Sequence, residues 1–225
     1  MTDRVVAITG GHGVLGRAVL EAALADGLKV AVIDHAMGHP TPDGVLEIGG
    51  VDLTDPAQAG QAIAAVIGRF GRLDALLNIA GGFVWQTTDD AEPAWDRMHA
   101  LNVTTALNAS RAALPHLKAS GEGRIVNVGS AAALKAGAGM GAYGASKAAV
   151  HALTQSLAEE LKTTAVNVNA VLPSIIATPA NRADMPDADP AQWVAPADLA
   201  AVILFLASPE SRAMTGALVP VTGRV

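Results

Sequence analysis

The chain has 225 residues, 51% of them apolar, which is enough for one large α/β domain with a sizeable core and too little for two. Lys and Arg number 15 against 21 Asp and Glu, a net charge of −6, and no basic run is present to track a phosphate backbone, which argues against nucleic acid as a partner. Charged residues make up only 16%, which hints at an exterior partly covered in an oligomer, and the absence of Cys excludes disulfides, cysteine nucleophiles and thiolate metal sites and fits a reducing compartment.

The chain opens Met1-Thr2-Asp3-Arg4 and runs into Val5–Ile8, which is too short for a signal-peptide core and leads to a glycine loop instead of a cleavage site. It reads as a first strand. Further strands are expected at Lys29–Ile33, Val45–Ile48, Ala75–Ile79, Arg124–Val128, Ala165–Val171 and Ala217–Val221. Helices are expected at Leu15–Ala25, Pro56–Phe70, Glu92–His99, Val103–Leu117, Tyr143–Lys162 and Pro196–Leu206. That alternation predicts a three-layer αβα sandwich around a doubly wound parallel sheet, a Rossmann fold, with strands apolar on both faces because helices cover both. No stretch approaches the roughly 18 apolar residues of a membrane span; the most apolar later segment, Leu199–Ala207, has nine. A soluble, cytoplasmic protein is expected. Pro173, Pro179, Pro186, Pro190 and Pro196 rule out a long helix between them. A loop of that length inside a compact domain points to binding, so residues 1–225 read as a single domain with a short lid around residues 174–195.

The first strand leads directly into Thr9-Gly10-Gly11-His12-Gly13-Val14-Leu15-Gly16, and the next helix begins inside that loop. Glycines there let the backbone turn tightly and approach a pyrophosphate, whose charge the amides of the helix N-terminus meet. Asp34 ends the second strand, 24 residues after Gly10. A carboxylate in that place accepts hydrogen bonds from both adenosine ribose hydroxyls and repels a 2′-phosphate. Its neighbours Ile33 and His35 are neither Arg nor Lys, so loop, helix and acid together point to NAD rather than NADP. The glycine loop by itself is shared with other nucleotide binders and with methyl-donor binders.

Tyr143 and Lys147 stand at i and i+4, so both lie on one face if Tyr143 opens a helix. Ser130, just past Arg124–Val128, is able to reach the same place. Carbonyl reduction needs such a trio: an acid for the developing alkoxide, a cation that lowers the acid's pKa, and a hydroxyl that holds the substrate oxygen. A phenol alone titrates at about 10, and an adjacent ammonium stabilises the phenolate. Tyr143 is the only tyrosine in the chain, although a Tyr and a Lys at this spacing also occur as ordinary surface neighbours.

The loop Thr9 to Gly16, Asp52-Leu53, Asn78-Ile79-Ala80-Gly81, Asn102, Ser130 and Tyr143-Gly-Ala-Ser-Lys147, with Ser130 and Tyr143 13 apart, together resemble the short-chain dehydrogenase/reductase family over nearly the whole chain. The resemblance implies a parallel sheet of about seven strands, a nicotinamide cofactor across the strand C-termini, and a homotetramer built by pairing the helices Val103–Leu117 and Tyr143–Lys162. It also implies a catalytic tetrad of Asn102, Ser130, Tyr143 and Lys147. Tyr143 would be the general acid for reduction and the base for oxidation, and Ser130 would position the reacting oxygen. Lys147 would lower the tyrosine pKa and bind the nicotinamide ribose, while Asn102 would hold a water leading to solvent. Cofactor contacts implied in the same way are Gly10, Gly11, His12, Gly13, Val14, Leu15, Gly16, Asp34, Asp52, Leu53, Asn78, Ala80, Gly81, Tyr143, Lys147, Pro173, Ser174, Ile176 and Thr178. Among these, Asp52 would approach the adenine amino group, Asn78 would support the central strands, and Thr178 would meet the nicotinamide carboxamide. Taken singly, Asn102 also suits a helix cap and Asp52 a turn.

Some positions depart from the family pattern. Val14 stands at the middle glycine of the loop, which narrows the room beside the pyrophosphate; Pro173-Ser174 replaces the usual Pro-Gly, Ile79 a common Asn, and Thr222-Gly223 an Asp-Gly. With Gly81-Gly82-Phe83 and the segment from Thr178 through Met185 to Trp193, these departures are similar to the dihydropteridine reductases. That branch usually lacks the serine, and Ser130 is present here, which favours alcohol/carbonyl chemistry over reduction of a quinonoid pterin.

The substrate is expected among Phe83, Trp85, Ala132, Met140, Met185 and Trp193, a mostly apolar lining suited to a small hydrophobic or cyclic alcohol or ketone. Trp85 and Trp193 suit stacking on an aromatic substrate or ordinary packing equally, and Lys135 or Arg182 would meet an acidic substrate group. The six histidines show no metal spacing, so no metal is expected, and His99, His116 and His151 read as surface or interface residues. Ala148, Ala149, Ala152, Leu153 and Leu157 permit close packing across a two-fold axis, or packing on their own sheet. The expected function is an NAD-dependent alcohol/carbonyl oxidoreductase; the alternatives are an NADH-dependent dihydropteridine reductase and a nucleotide-binding scaffold without turnover.

Overall fold

Every side chain of β1 (Val5–Thr9) is buried in the computed structural model, which describes residues 3–38, 40–90 and 94–225. Val5 and Ala7 face one core, and Val6 and Ile8 face the other. Polar alternation is impossible in such a strand, which is why the run is apolar throughout. The sheet continues with β2 (Lys29–Ile33), β3 (Leu46–Ile48), β4 (Ala75–Asn78), β5 (Arg124–Val128), β6 (Asn167–Pro173) and β7 (Leu218–Val221). Their spatial order is β3-β2-β1-β4-β5-β6-β7, with every pairing parallel. The helices are α1 (Val14–Ala25), α2 (Pro56–Phe70), α3 (Trp95–His99), α4 (Thr105–Ala119), α5 (Gly141–Glu160), α6 (Pro179–Asp184) and α7 (Pro196–Ala207). α1 and α7 cover one face of the sheet, and α2, α4 and α5 cover the other, giving the αβα sandwich. Among the described residues no helix is long and apolar enough to cross a membrane.

Local chemistry explains the cleanest boundaries. α2 starts where Asp55 accepts a hydrogen bond from the Ala57 amide and Pro56 takes the first helical position, and it stops at Gly71, φ 75°. β6 runs two residues beyond its expected end, because Leu172 and Pro173 still pair with Pro220 and Val221 of β7. Glu92, the expected start of the third helix, lies outside the described residues; the helix is seen from Trp95. The expected break between His99 and Val103 is absent. A five-residue π-helix, Ala100–Thr104, joins α3 to α4 and carries Asn102. α5 begins two residues before Tyr143.

The chain lays β1 to β3 toward one edge and β4 to β7 toward the other, so the C-terminal ends of β1 and β4 flank the switch point, with Thr9 opposite Asn78. A crevice opens where strand order reverses in this way. The proline-rich segment arches over that end, with α6 inside it and a single parallel bridge between Ile176 and Val194 near its ends.

Candidate active site

The loop from β1 to α1 is built from backbone alone at its tightest points. Gly10 has φ 67°, and a Cβ there would lie 2.8 Å from the Ala80 backbone. At Gly16 a Cβ would fall 2.2 Å from the Gly10 carbonyl oxygen, and at Gly81 2.5 Å from Asn102 Oδ1. Only glycine fits these places. Thr9 locks the two sides together, its Oγ1 accepting hydrogen bonds from the Ile79 and Ala80 amides at 3.1 Å each. α1 has no side-chain cap, which leaves its first amides able to meet an anion.

At one end of the crevice Asp34 is fixed by two backbone donors, the His12 amide on Oδ2 at 2.9 Å and the Ala36 amide on Oδ1 at 3.0 Å. Asp52 shares that wall with Leu53. The Thr54 hydroxyl and amide, 2.7 and 2.9 Å from Asp52 Oδ1, hold that carboxyl below the usual range. Asp52 is thus a turn former and a wall residue together.

At the other end Tyr143 and Lys147 line the crevice, and Ser130 bonds Tyr143 without lining it. Burial raises the Tyr143 phenol above its ordinary pKa, and a hydrogen bond with the Ser130 side chain partly offsets this. Lys147, expected to lower the phenol pKa, is not the group that opposes burial here; Ser130 is. Lys147 is itself buried; its Nζ donates to the Val128 carbonyl oxygen at 2.8 Å and lies 5.9 Å from the Tyr143 ring centroid. Desolvation pushes its pKa down to about 8. Asn102 does not act as a cap. Its Oδ1 accepts from the Gly82 amide at 3.0 Å, and its Nδ2 donates to the Gly82 carbonyl at 3.1 Å and to Ser146 Oγ at 3.0 Å. Ser146 Oγ in turn donates to the Tyr143 carbonyl at 2.7 Å, which gives the serine of the Tyr143-Gly-Ala-Ser-Lys147 segment a role as intermediary that the sequence did not assign. The π-helix under Asn102 is the kind of irregularity that often marks a site.

The crevice between these ends encloses about 1020 Å³, walled by Gly10, Gly13, Val14, Leu15, Gly16, Asp34, Asp52, Leu53, Ala80, Gly81, Tyr143, Lys147, Ile176 and Thr178 among others. A carboxylate at one end, a glycine cradle in the middle and a phenol beside an amine at the far end fit a dinucleotide lying across the strand tips. A family model described as short chain dehydrogenase matches residues 4–189. The chain belongs to the short-chain dehydrogenase family. The dehydrogenase is thus an NAD-dependent oxidoreductase. It is 34% identical to 2-(S)-hydroxypropyl-CoM dehydrogenase 3 of Xanthobacter autotrophicus, over 99% of this chain and 96% of that protein. It is 32% identical to the 2,5-dichloro-2,5-cyclohexadiene-1,4-diol dehydrogenase LinX of Sphingobium indicum, over 99% of this chain and 96% of that one. Among solved structures, 3-ketoacyl-(acyl-carrier-protein) reductase from Brucella melitensis, complexed with NADH, superposes with a TM-score of 0.87 at 28% identity, covering 98% of both chains.

Other expected positions of the dehydrogenase lie elsewhere. Gly11 packs against the sheet, where a Cβ would fall 2.5 Å from Val32 Cγ1, and the His12 imidazole turns to Glu47 at 3.2 Å. Asn78 is buried beneath the crevice, donating to Ser110 Oγ at 3.0 Å and Asn127 Oδ1 at 2.8 Å. Ser174 is tied to β7 through its Oγ and the Thr222 carbonyl, 2.7 Å, behind Pro173. No described non-glycine residue has positive φ, so serine sits in the family's glycine place without backbone strain. Thr178 lines the crevice and also caps α6, accepting from the Asn181 amide at 3.1 Å.

Of the expected substrate contacts, Phe83 is on the wall, edge-on to Tyr143 with centroids 5.0 Å apart. Ala132, Met140 and Met185 are not on it. Trp85 is not on it either; it is 60% exposed, with its indole against the bare Cα of Gly139. Trp193 is a packing residue at 6% exposure, backed by the C-terminal turn at Gly223. His99 is exposed and His116 half-buried, but His151, expected at the surface, is buried with its Nε2 3.3 Å from the Ser130 amide nitrogen. Leu157 likewise packs into its own core, whereas Ala148 and Ala152 are exposed.

Proposed function

We propose that the dehydrogenase interconverts a small hydrophobic or cyclic alcohol and its ketone, with Asn102, Ser130, Tyr143 and Lys147 as the catalytic set. The observation that supports this reading is that Ser130 bonds the sole tyrosine beside a buried lysine, with Tyr143 and Lys147 at one end of a crevice whose other end holds Asp34. Asp34 would accept the adenosine ribose hydroxyls, and its charge opposes a 2′-phosphate, which supports NAD over NADP. NADH, when bound, supplies the hydride.

The residues of the chain handle the proton and the positioning. Tyr143, protonated at neutral pH as a phenol and pushed further that way by burial, gives its hydroxyl proton to the developing alkoxide, and Ser130 holds the same oxygen in hydrogen-bond reach. Lys147 places an ammonium beside the phenol and stabilises the phenolate left behind. Asn102 keeps Gly81 and Gly82 against the crevice by its two bonds to Gly82, and so serves as a positioning residue in addition to the water-holding role expected of it. Phe83 and Leu101 give the substrate end an apolar surface, and the segment from 174 to 195 serves as its lid over a single domain. A cyclic diol in the name of one relative and a hydroxypropyl group in that of another agree with a secondary alcohol. The exposed Ala148 and Ala152 on α5, with the low charged fraction, support a homotetramer paired through α4 and α5.

NADH oxidation against a panel of cyclic and acyclic ketones tests the reading, with Tyr143→Phe as control. Turnover should fall by about 10²–10⁴-fold with NADH binding intact. Full turnover by Tyr143→Phe would remove the acid from the scheme.

A further inference from the structure

We infer that His151 is a positioning residue for Ser130, holding the backbone that carries the serine hydroxyl by accepting the Ser130 N–H at Nε2, a role that rests on the proposed functions of Ser130 and Tyr143.

His151 follows Lys147 by one helical turn and Tyr143 by two, so the three side chains leave α5 on the same side. The proton path just described makes no use of it, yet it is 6% exposed. Its ring lies under the C-terminal tip of β5. A Cβ on Gly129 would fall 2.5 Å from Nε2 and 3.3 Å from Leu172 Cδ1 of β6, so the imidazole occupies space that only glycine leaves. A backbone amide can only donate. The 3.3 Å contact with the Ser130 nitrogen therefore makes Nε2 the acceptor and places the ring proton of the neutral form on Nδ1.

Two residues earlier in the strand, Lys147 Nζ holds the Val128 carbonyl at 2.8 Å. The segment Val128-Gly129-Ser130 is thus gripped from α5 at one carbonyl and at one amide. Beyond the grip, Ser130 Oγ accepts from the Ala132 amide at 3.1 Å and bonds the phenol. A shift of about 1 Å in this segment would take the hydroxyl out of register with the reacting oxygen, a misplacement that costs on the order of 10²-fold in rate.

The residues packed on the ring from β5 and β6, Gly129 and Leu172, are uncharged, and the charged group facing it is Lys147 on its own helix. Burial first and the Lys147 ammonium second hold His151 below the ordinary imidazole pKa, so it stays neutral. A proton on Nε2 would remove the acceptor and set a second cation beside Lys147. The grip on Ser130 opens only in acid.

Nitrogen NMR of the apoprotein reads the tautomer, and ultraviolet difference absorbance titrates the single tyrosine with no turnover needed. The Nδ1–H tautomer is expected at neutral pH. In His151→Leu, which lacks an acceptor, the phenol should titrate higher because Ser130 no longer steadies its phenolate. Reduction of cyclohexanone should lose about tenfold in kcat with NADH affinity unchanged. In His151→Gln, whose amide oxygen accepts but does not titrate, the phenol should titrate as in wild type and the acid limb of kcat should disappear. An Nε2–H tautomer, or an unmoved phenol in His151→Leu, overturns the role; should that variant fail to fold, an acid limb unchanged in His151→Gln does the same. Full activity in Tyr143→Phe would instead overturn the proposed function and leave the tautomer as it is.

Discussion

Lys147 Nζ donates to the Val128 carbonyl at 2.8 Å and stands 5.9 Å from the Tyr143 ring centroid, so the amine that serves the phenol is buried on the same helix that presents it. Desolvation sets the state of both groups, raising the phenol and lowering the ammonium to about 8. Charge placed here for chemistry therefore works against the fold.

That conflict has a measurable sign. Between about 8 and the ordinary 10.5, the unfolded chain keeps a proton on Lys147 that the folded chain has released, so the site favours folding increasingly as pH rises through that window. Below about 8 the cost of burying the ammonium is present in full, on the order of 3 kcal/mol. Lys147→Met should be more stable than wild type at neutral pH by about 1–3 kcal/mol, with the gap closing toward pH 10.5, while turnover falls steeply. Urea unfolding of the apoprotein at stepped pH checks it; a gap that is constant with pH contradicts the assignment.

Asp34 holds the His12 and Ala36 amides, one on each oxygen, as well as facing the crevice, so its charge is separable from only half of its scaffolding. Asp34→Asn keeps an acceptor oxygen while dropping the charge, whereas Asp34→Ala loses both. The Asn variant should shift the NADPH to NADH affinity ratio by about 10–100-fold toward NADPH, with a loss of stability of about 1–2 kcal/mol because its NH2 faces one of the two backbone donors. The Ala variant should shift it similarly and weaken both cofactors, because the glycine loop loses its anchor. Fluorescence titration with each cofactor reads the ratio, and a wild type that already prefers NADPH would defeat the electrostatic argument.

Two glycines of one loop should respond in opposite ways. Gly16→Ala places a Cβ 2.2 Å from the backbone oxygen of Gly10, where neither side can yield, and NADH binding should be lost or the fold impaired. Gly13 has φ −67°, and its Cβ would meet only the Gly10 oxygen at 3.4 Å, an ordinary contact. Gly13→Ala should bind NADH within a few-fold of wild type and, by stiffening the unfolded chain, change stability by less than about 1 kcal/mol. Equal losses in both variants would show that loop glycines matter for flexibility and not for space.

Much of this arrangement is legible in the sequence because local chemistry dictates it. The apolar run Val5–Ile8 must be a strand buried on both faces, Gly10 must turn the chain, and Asp55-Pro56 with Gly71 must bound a helix. What escapes is set by tertiary neighbours. Asn102 meets Gly82 only through a π-turn inside a helical run, and the backbone that carries the buried Trp193 meets a C-terminal turn 30 residues away at Gly223. His151 looks polar and external because an α-helix is expected to show one wet face. α5 instead packs on the sheet and against α3, and the only advance signal of the burial of His151 is its spacing of four from Lys147.

Phe83 follows the Gly81-Gly82 pair and meets Tyr143 edge-on, with rings 87° apart and 50% of the phenylalanine exposed. A T-shaped pair of this kind contributes on the order of 1 kcal/mol beyond area burial, and here it also restrains the phenol from one side. Phe83→Ala should remove an apolar wall and a restraint together. For a cyclic ketone that would lie against the ring, kcat/KM should fall by about 10-fold or more, corresponding to a lost side-chain contact of about 1.5–3 kcal/mol. For a short acyclic ketone such as acetone, which does not reach Phe83, the fall should be smaller and confined to kcat. Phe83→Leu, which restores the apolar wall without the edge-on ring, should recover KM for the cyclic ketone before kcat. Equal losses for both ketones in Phe83→Ala would mean that the ring only steadies Tyr143 and takes no part in choosing the substrate.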